Sequence, residues 1–418
     1  MKTKAKGKNT GCASRRSILR NAWRKPIRYF CLLPFALCLL PWFSSPAWSQ
    51  QTAFRGRRAW KLENANLRVT VLEGGGHIAE LILKGPREVN PLWIPPWPSI
   101  EPSLYSRERY GSVYGTDSEA ATLSGIMGHN VCFDYWGAPS PSEFRAGLSF
   151  HGEVSTLAWY EVRSRAEGGA IDFTYRADLP ESRTSLTRTL RLRAGQPVLY
   201  FEEAAENHTT FDRPFGWVQH VTFGPPFLDA RYSAFNASAT QGERLTGTQR
   251  REFTWPADQD RDFRRFSQDE RSADMAFLLL DPQRDVEFIS ALNTELGLVV
   301  AYVFKRQDFP WLNVWEQNRS RMEPPWKGQT QTRGMEFGNT RVSGTEKAYF
   351  QMPAKWNTST LGWLDAKAKR TVRYLVVLAP IPTGFDNVRD ILIAGKEILI
   401  VGGQPEQTLR VPFDPGLF

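Results

Sequence analysis

Alternation is the feature that most constrains this chain. Apolar and polar residues trade places at every second position in a series of separated stretches, and two is the period of a half-buried β-strand. Leu67, Val69 and Val71 share one side while Arg68 and Thr70 share the other, and Gly74-Gly75-Gly76 then turns the chain into 78–83, the pattern of a hairpin. The same alternation returns at 157–162, 171–176, 186–193, 198–203, 296–304 and 374–378. Turn-rich connections separate these stretches and no helical segments intervene, so the expected architecture is all-β, a large antiparallel β-sandwich rather than a parallel α/β fold. Only Val388, Ile391, Leu392 and Ile398 carry a helix-like spacing, near the C-terminus. Segments 91–102, rich in Pro and Trp, and 242–274, dense in Arg, Asp and Gln, read as long surface loops. The second is expected to be a solvated excursion, with a role in walling a cleft as the alternative.

The first 49 residues have a different character. They hold Lys2, Lys4, Lys6, Lys8, Lys25, Arg15, Arg16, Arg20, Arg24 and Arg28, no acid, and the apolar run 29–43. That run is interrupted by Pro34 and Pro41 and is shorter than the roughly 20 residues that span a bilayer. This is the composition of an export signal rather than an anchor, with cleavage expected before Gln50. Ser14-Arg15-Arg16-Ser17-Ile18-Leu19 resembles the bacterial twin-arginine signal. The expected organisation is therefore a signal over 1–49 and one sandwich domain over 50–418. The twin-arginine machinery is the transit partner, the destination is the periplasm or the exterior, and no stable membrane anchor remains after cleavage.

Removing that segment changes the charge argument. The whole chain carries 53 basic and 44 acidic residues, a net charge of +9. Ten of the basic residues lie in the signal, which leaves 43 against 44, or −1. A nucleic-acid partner inferred from the high pI is excluded, because the excess charge belongs to the export segment. Of four cysteines only Cys132 lies beyond it, so no intrachain disulfide and no cysteine-held zinc is expected there. No histidine pair shows the close helical spacing of a zinc site, and neither metal nor cofactor is expected.

Five histidines can be weighed one by one. His151 lies in Phe150-His151-Gly152, where a glycine admits a close approach to the backbone, and His220 lies in Trp217-Val218-Gln219-His220. His77 follows the glycine turn, where it caps the hairpin or lines a cleft; His208 reads as a loop residue, and His129 has no assigned role. Glu336, in Arg333-Gly334-Met335-Glu336-Phe337-Gly338, stands among apolar residues and glycines that would raise its pKa into the range of a working base. The alternative is a buried glutamate paired with Arg333.

Taken in order, the Gly74-Gly75-Gly76-His77-Ile78 hairpin, Phe150-His151-Gly152, the 185–197 segment, Asn207, the Trp217 to His220 stretch with Phe223-Gly224, and Gly334-Met335-Glu336 resemble the aldose 1-epimerase or galactose mutarotase-like superfamily. The resemblance covers most of the chain beyond residue 49. It implies a β-supersandwich, with His220 as acid on the ring oxygen of a sugar, Glu336 as base on the anomeric hydroxyl and His151 as a supporting donor. Two departures stand out: Phe337-Gly338-Asn339-Thr340-Arg341 replaces the usual continuation after the glutamate, and 112–137 offers no counterpart for the family's sugar-binding arginine. Trp315, Glu316, Trp311, Trp217, Arg333 and His77 are the expected substrate-binding residues, with the Asp134-Tyr135-Trp136 group as further stacking candidates, since indole faces pack on the C–H faces of pyranoses. The expected partner is a sugar or glycan and the expected activity a sugar isomerase. A non-catalytic carbohydrate-binding protein and a polysaccharide lyase on the same scaffold are the alternatives.

Overall fold

The computed structural model describes residues 50–259, 261–404 and 406–418. The twin-arginine motif, the hydrophobic run and the residues before the expected cleavage point, all within 1–49, lie outside them. Two large antiparallel sheets dominate. A twelve-stranded sheet runs in space from Gln50–Phe54 through Arg57–Glu63, Leu67–Leu72, Ile78–Leu83, His129–Asp134, Arg213–Phe223, Gln331–Gly338, Trp311–Asn318, Ser272–Leu280 and Ala239–Thr246 to Gln249–Thr254, and its twelfth strand, Gly362–Leu364, pairs with Arg213–Phe223 off this path. An eight-stranded sheet runs from Ser233–Ala237 through Val286–Asn293, Leu298–Lys305, Lys369–Pro380, Val198–Asn207, Thr184–Leu192 and Ala170–Leu179 to Tyr160–Glu167. This is the all-β antiparallel sandwich that the alternation predicts, with the 157–162 stretch displaced to Tyr160–Glu167.

Three local expectations fail for identifiable reasons. The helix-like spacing near the C-terminus belongs to two strands, Val388–Ala394 and Glu397–Gly402, of a three-stranded sheet. A register shift between Val388 and Asp390 offsets the alternation by one, so the buried Val388 and Ile391 fall three apart as they would on a helix. Segment 242–274 is not a loop, although much of it faces solvent: it supplies strands at one edge of the large sheet, and many of its charges are paired. Arg244 pairs with Asp274 at 2.9 Å, Arg251 with Asp258 at 2.8 Å and Arg261 with Glu316 at 2.9 Å. Segment 91–102 has little regular structure but is not on the surface. Its Trp93 and Trp97 are buried with Tyr114, Leu123, Ile126 and Trp326 in a separate aromatic cluster. The short helices Arg107–Tyr114 and Ala120–Leu123, which the alternation did not announce, flank that cluster.

Strand parity decides where a site can lie. In the large sheet, Val131, Phe133, Trp217, Val221, Leu312, Val314, Met335 and Phe337 join the main core with Phe173, Leu190, Phe201, Phe304 and Tyr374 of the smaller sheet. Phe337 stacks on Phe304 with centroids 4.1 Å apart. Their sequence neighbours Asn130, His220, Asn313, Trp315 and Glu336 therefore face away from the inter-sheet core. The 91–126 segment and the Phe150-His151 turn cover that outer face.

Candidate functional site

The register of four adjacent strands writes one row of polar side chains across the outer face: Asn130, His220, Glu336 and Asn313. His220 and Glu336 are direct cross-strand partners, and His220 Nε2 lies 3.2 Å from Glu336 Oε1. Two positions along the His220 strand, and so on the same face, the Thr222 hydroxyl meets His220 Nδ1 at 3.0 Å. Trp136 Nε1 donates to Glu336 Oε2 at 2.9 Å. Gly334 makes room for this carboxylate, since a Cβ there would stand 2.6 Å from Glu336 Oε1. Asn130, fully buried beside His220, has neither side-chain polar atom bonded within the protein.

His151 reaches the row from a turn rather than a strand. The Gly137 backbone N–H donates to His151 Nδ1 at 2.9 Å, and the His151 N–H donates back to the Gly137 carbonyl at 2.9 Å. With Nδ1 occupied as an acceptor, the neutral ring carries its proton on Nε2 and is a donor there. Its ring stacks on Trp136 at 6.1 Å and stands edge-on to His220 at 5.1 Å. His151 adopts φ +66, a left-handed conformation that costs a side-chain-bearing residue roughly 1–2 kcal/mol. Gly152 follows because the chain passes the Phe133 carbonyl so closely that a Cβ would come within 2.2 Å of it.

Burial sets the protonation of these groups. It pushes the Glu336 carboxyl up to about 8, against the opposing hydrogen bond from Trp136. It brings the His220 imidazole down to about 4. His151 is held well below its ordinary value by burial and then by the nearby His220. The 3.2 Å contact could be an ion pair or a neutral carboxyl–imidazole hydrogen bond. With both side chains almost completely removed from water, the neutral form is favoured, because desolvation penalises each charge. At neutral pH the protonated Glu336 carboxyl thus donates to the His220 Nε2 lone pair, and the imidazole keeps its own proton on Nδ1, toward the Thr222 hydroxyl.

These groups form part of the wall of an open pocket of about 530 Å³. Its apolar wall is Trp93, Leu123, Ile126, Trp136, Phe150, Met275, Trp315 and Trp326; Glu119, Thr122 and Arg321 add polar groups beside the histidines and Glu336. Trp326 stacks on Trp93 at 6.1 Å and meets Trp315 edge-on at 6.0 Å. Glu119 and Arg321 form an ion pair at 2.8 Å in this wall. Burial pushes the Glu119 carboxyl above its ordinary value while Arg321 pulls it back.

Of the residues expected from sequence, His151, His220, Glu336, Trp315 and Trp136 meet in the pocket. The others do not, and Asp134 and Tyr135 line a separate pocket with Arg213. Arg333 and Glu316 are on the core face, joined to each other at 2.7 Å, so Arg333 is the partner of Glu316 and not of Glu336. Trp217 is also on the core face and donates through Nε1 to the buried Glu203. Trp311 shares the outer face but sits one row away, donating to the Ser359 carbonyl. His77 is fully buried between the carbonyls of Gly125 and Ser155. Sequence reasoning missed Trp93, Trp326, Glu119 and Arg321 as wall residues; the Pro- and Trp-rich composition of 91–102 was the available signal for the first. Among the described residues no group of three or more His, Cys, Asp or Glu is arranged to hold a metal ion. No helix among them is long and apolar enough to cross a membrane.

A family model described as a domain of unknown function, DUF4432, matches residues 116–348, a span that includes His151, His220 and Glu336. No curated protein matches the chain. Among solved structures, a provisionally assigned aldose 1-epimerase from Klebsiella pneumoniae is similar at a TM-score of 0.58 and 13% identity, over 78% of this chain and 81% of that one. A galactose mutarotase related enzyme from Lactobacillus acidophilus is similar at 0.51 and 12% identity, over 78% and 98%. A galactose mutarotase-like protein from Clostridium acetobutylicum is similar at 0.51 and 10% identity, over 80% and 99%. At such identities the likeness establishes the fold, a galactose mutarotase-like sandwich.

Proposed function

This chain belongs to the DUF4432 family and has the galactose mutarotase-like fold, and from that premise we propose that its pocket opens and recloses the cyclic hemiacetal of a sugar, the reaction type of an aldose 1-epimerase. The observation that carries the reading is the His220–Glu336 pair, 3.2 Å apart on a tryptophan-lined wall. Hemiacetal opening needs an acid at the ring oxygen and a base at the anomeric hydroxyl of the same carbon. His220 gives its proton to the ring oxygen as the C1–O5 bond breaks, Glu336 takes the hydroxyl proton, and the oxygen's electron pair becomes the aldehyde π bond. Rotation about C1–C2 and the reverse transfers close the other anomer and return both protons.

In this assignment the proton resting on Glu336 first crosses to His220 Nε2. Sugar hydroxyls help by restoring part of the solvation that burial removed from both charges. His151, a donor at Nε2, steadies the developing charge on a substrate oxygen. A second reading, a sugar-binding protein without turnover, is favoured by the resting state itself, in which acid and base satisfy one another. We also propose that the protein acts outside the cytoplasm after twin-arginine export.

Anomer-exchange NMR on the protein with a panel of aldoses, compared with His220→Ala and Glu336→Gln, separates the readings. Accelerated exchange lost in both variants supports the isomerase. Full activity in Glu336→Gln removes that residue from the mechanism, and sugar-dependent tryptophan fluorescence without exchange favours the binding protein.

A further inference from the structure

Two charged side chains in the pocket wall have no part in the proton transfer. Glu119, at the start of the Ala120–Leu123 helix, and Arg321, between the Trp311–Asn318 and Gln331–Gly338 strands, are 202 residues apart in sequence and 2.8 Å apart in space. Each side chain remains about one quarter exposed, at 25% and 26%. Arg321 lies over Trp326, with its guanidinium carbon 4.5 Å from the ring centroid, and its Nε donates to Glu323. Trp326 itself lines the pocket, so the pair and its aromatic support form one wall.

Arg321 is the sole Lys or Arg among the described residues lining this pocket, and carboxylates occupy it from two sides. Glu336 is a third carboxyl nearby in the same wall. A bound carboxylate or sulfonate would have to displace Glu119 from the guanidinium and leave it unpaired in a partly desolvated wall, an arrangement that like-charge repulsion opposes. A neutral ligand faces no such barrier. The guanidinium has five N–H donors, more than two carboxylates consume through Nη1 and Nε, and Glu119 retains acceptor capacity for O–H groups. Side by side, the pair is a donor and an acceptor suited to neighbouring hydroxyls.

Resting on the hemiacetal reading above, we propose that Glu119 and Arg321 are specificity-determining residues that restrict this pocket to neutral sugars and reject the corresponding uronic acids. Glu119 does so by keeping the pocket's cation occupied. The two side chains contact hydroxyls remote from the reacting carbon.

The test uses matched pairs that differ only at C6, galactose with galacturonate and glucose with glucuronate, in the exported form of the protein, its Glu119→Gln variant and its Arg321→Gln variant. Anomer-exchange NMR gives kcat/KM, and tryptophan fluorescence gives affinity for the same ligands. The wild type prefers the neutral member of each pair. Glu119→Gln releases the Nη1 side of the cation, with Glu323 still on Nε, and lowers the neutral-to-uronate ratio by about tenfold. Arg321→Gln leaves a bare carboxylate and raises that ratio. These opposite signs keep the proposal exposed even if one variant does not fold. A wild-type preference for uronates, or variants that leave the ratio unchanged, overturns the inference while the hemiacetal reading stands. Absence of exchange with every sugar defeats the hemiacetal reading, and the affinity ratios then decide the inference alone; absence of binding by both members of each pair overturns both.

Discussion

Replacing Glu336 by Gln should remove a specific pH dependence from the stability of the fold. Burial raises this carboxyl from 4.5 to about 8 in the folded protein. The folded state therefore keeps its proton through a range in which the unfolded chain has released it. The associated stability is fully present below 4.5 and is lost as pH rises through 8. At about 1.4 kcal/mol per pH unit, the whole displacement corresponds to about 5 kcal/mol, of which about 2 kcal/mol is lost between pH 6.5 and 8.5. His220, with a folded value of about 4 and an ordinary value of 6.5, works in the opposite sense and adds only about 0.4 kcal/mol across that window, a gain common to both proteins that cancels in their difference. Gln copies the protonated carboxyl, since its oxygen can accept from Trp136 Nε1 and its amide can donate to His220 Nε2, but it has no proton to release. Denaturant unfolding of both proteins at half-unit steps from pH 6.5 to 8.5 should show the wild type losing about 2 kcal/mol more than Glu336→Gln. Parallel curves would mean that Glu336 ionises in the ordinary carboxylate range and would refute the account of burial given for this site.

Trp136→Phe removes the hydrogen bond that opposes the rise of the Glu336 carboxyl. The midpoint of that alkaline stability loss should therefore move to higher pH, and an unchanged midpoint would remove Trp136 from the electrostatics of the site. Glu203 binds Arg188 at 2.6 Å and accepts from Trp217, Gln219 and Tyr374 behind the His220 strand. Glu203→Ala leaves Arg188 buried without its partner and should cost about 3–5 kcal/mol in denaturant unfolding; a cost below 1 kcal/mol would show that the network relaxes freely. Trp315→Ala should weaken sugar affinity about tenfold whereas Trp311→Phe leaves it unchanged, because only the first lines the pocket; fluorescence titration checks the contrast. Replacing both Arg15 and Arg16 by Lys should hold the precursor in the cytoplasm, and unaltered export on cell fractionation would eliminate the twin-arginine route.

Much of this protein is legible locally. The period of two marks strands wherever one face of a sheet is buried, since burial writes itself into every second residue. His151, His220 and Glu336 are conspicuous because glycines, aromatics and few competing titratable groups surround them in the sequence. Period alone says which residues share a face, but not which face another sheet will cover. That is why Arg333, three positions from Glu336, and Glu316, next to Trp315, look like site residues in sequence yet point into the core, where they pair with one another. A single register shift at Val388 was enough to disguise a strand as a helix. Separation along the chain hides the rest: Trp136 and Glu336 are 200 residues apart, Glu119 and Arg321 are 202 apart. Their meeting depends on strand order and on a buried loop packing over the outer face. Alternation by itself determined that this chain builds antiparallel sheets and which side chains stand together on each strand. Only the tertiary structure decided which of those rows became a pocket, because a row becomes a site through what packs opposite it.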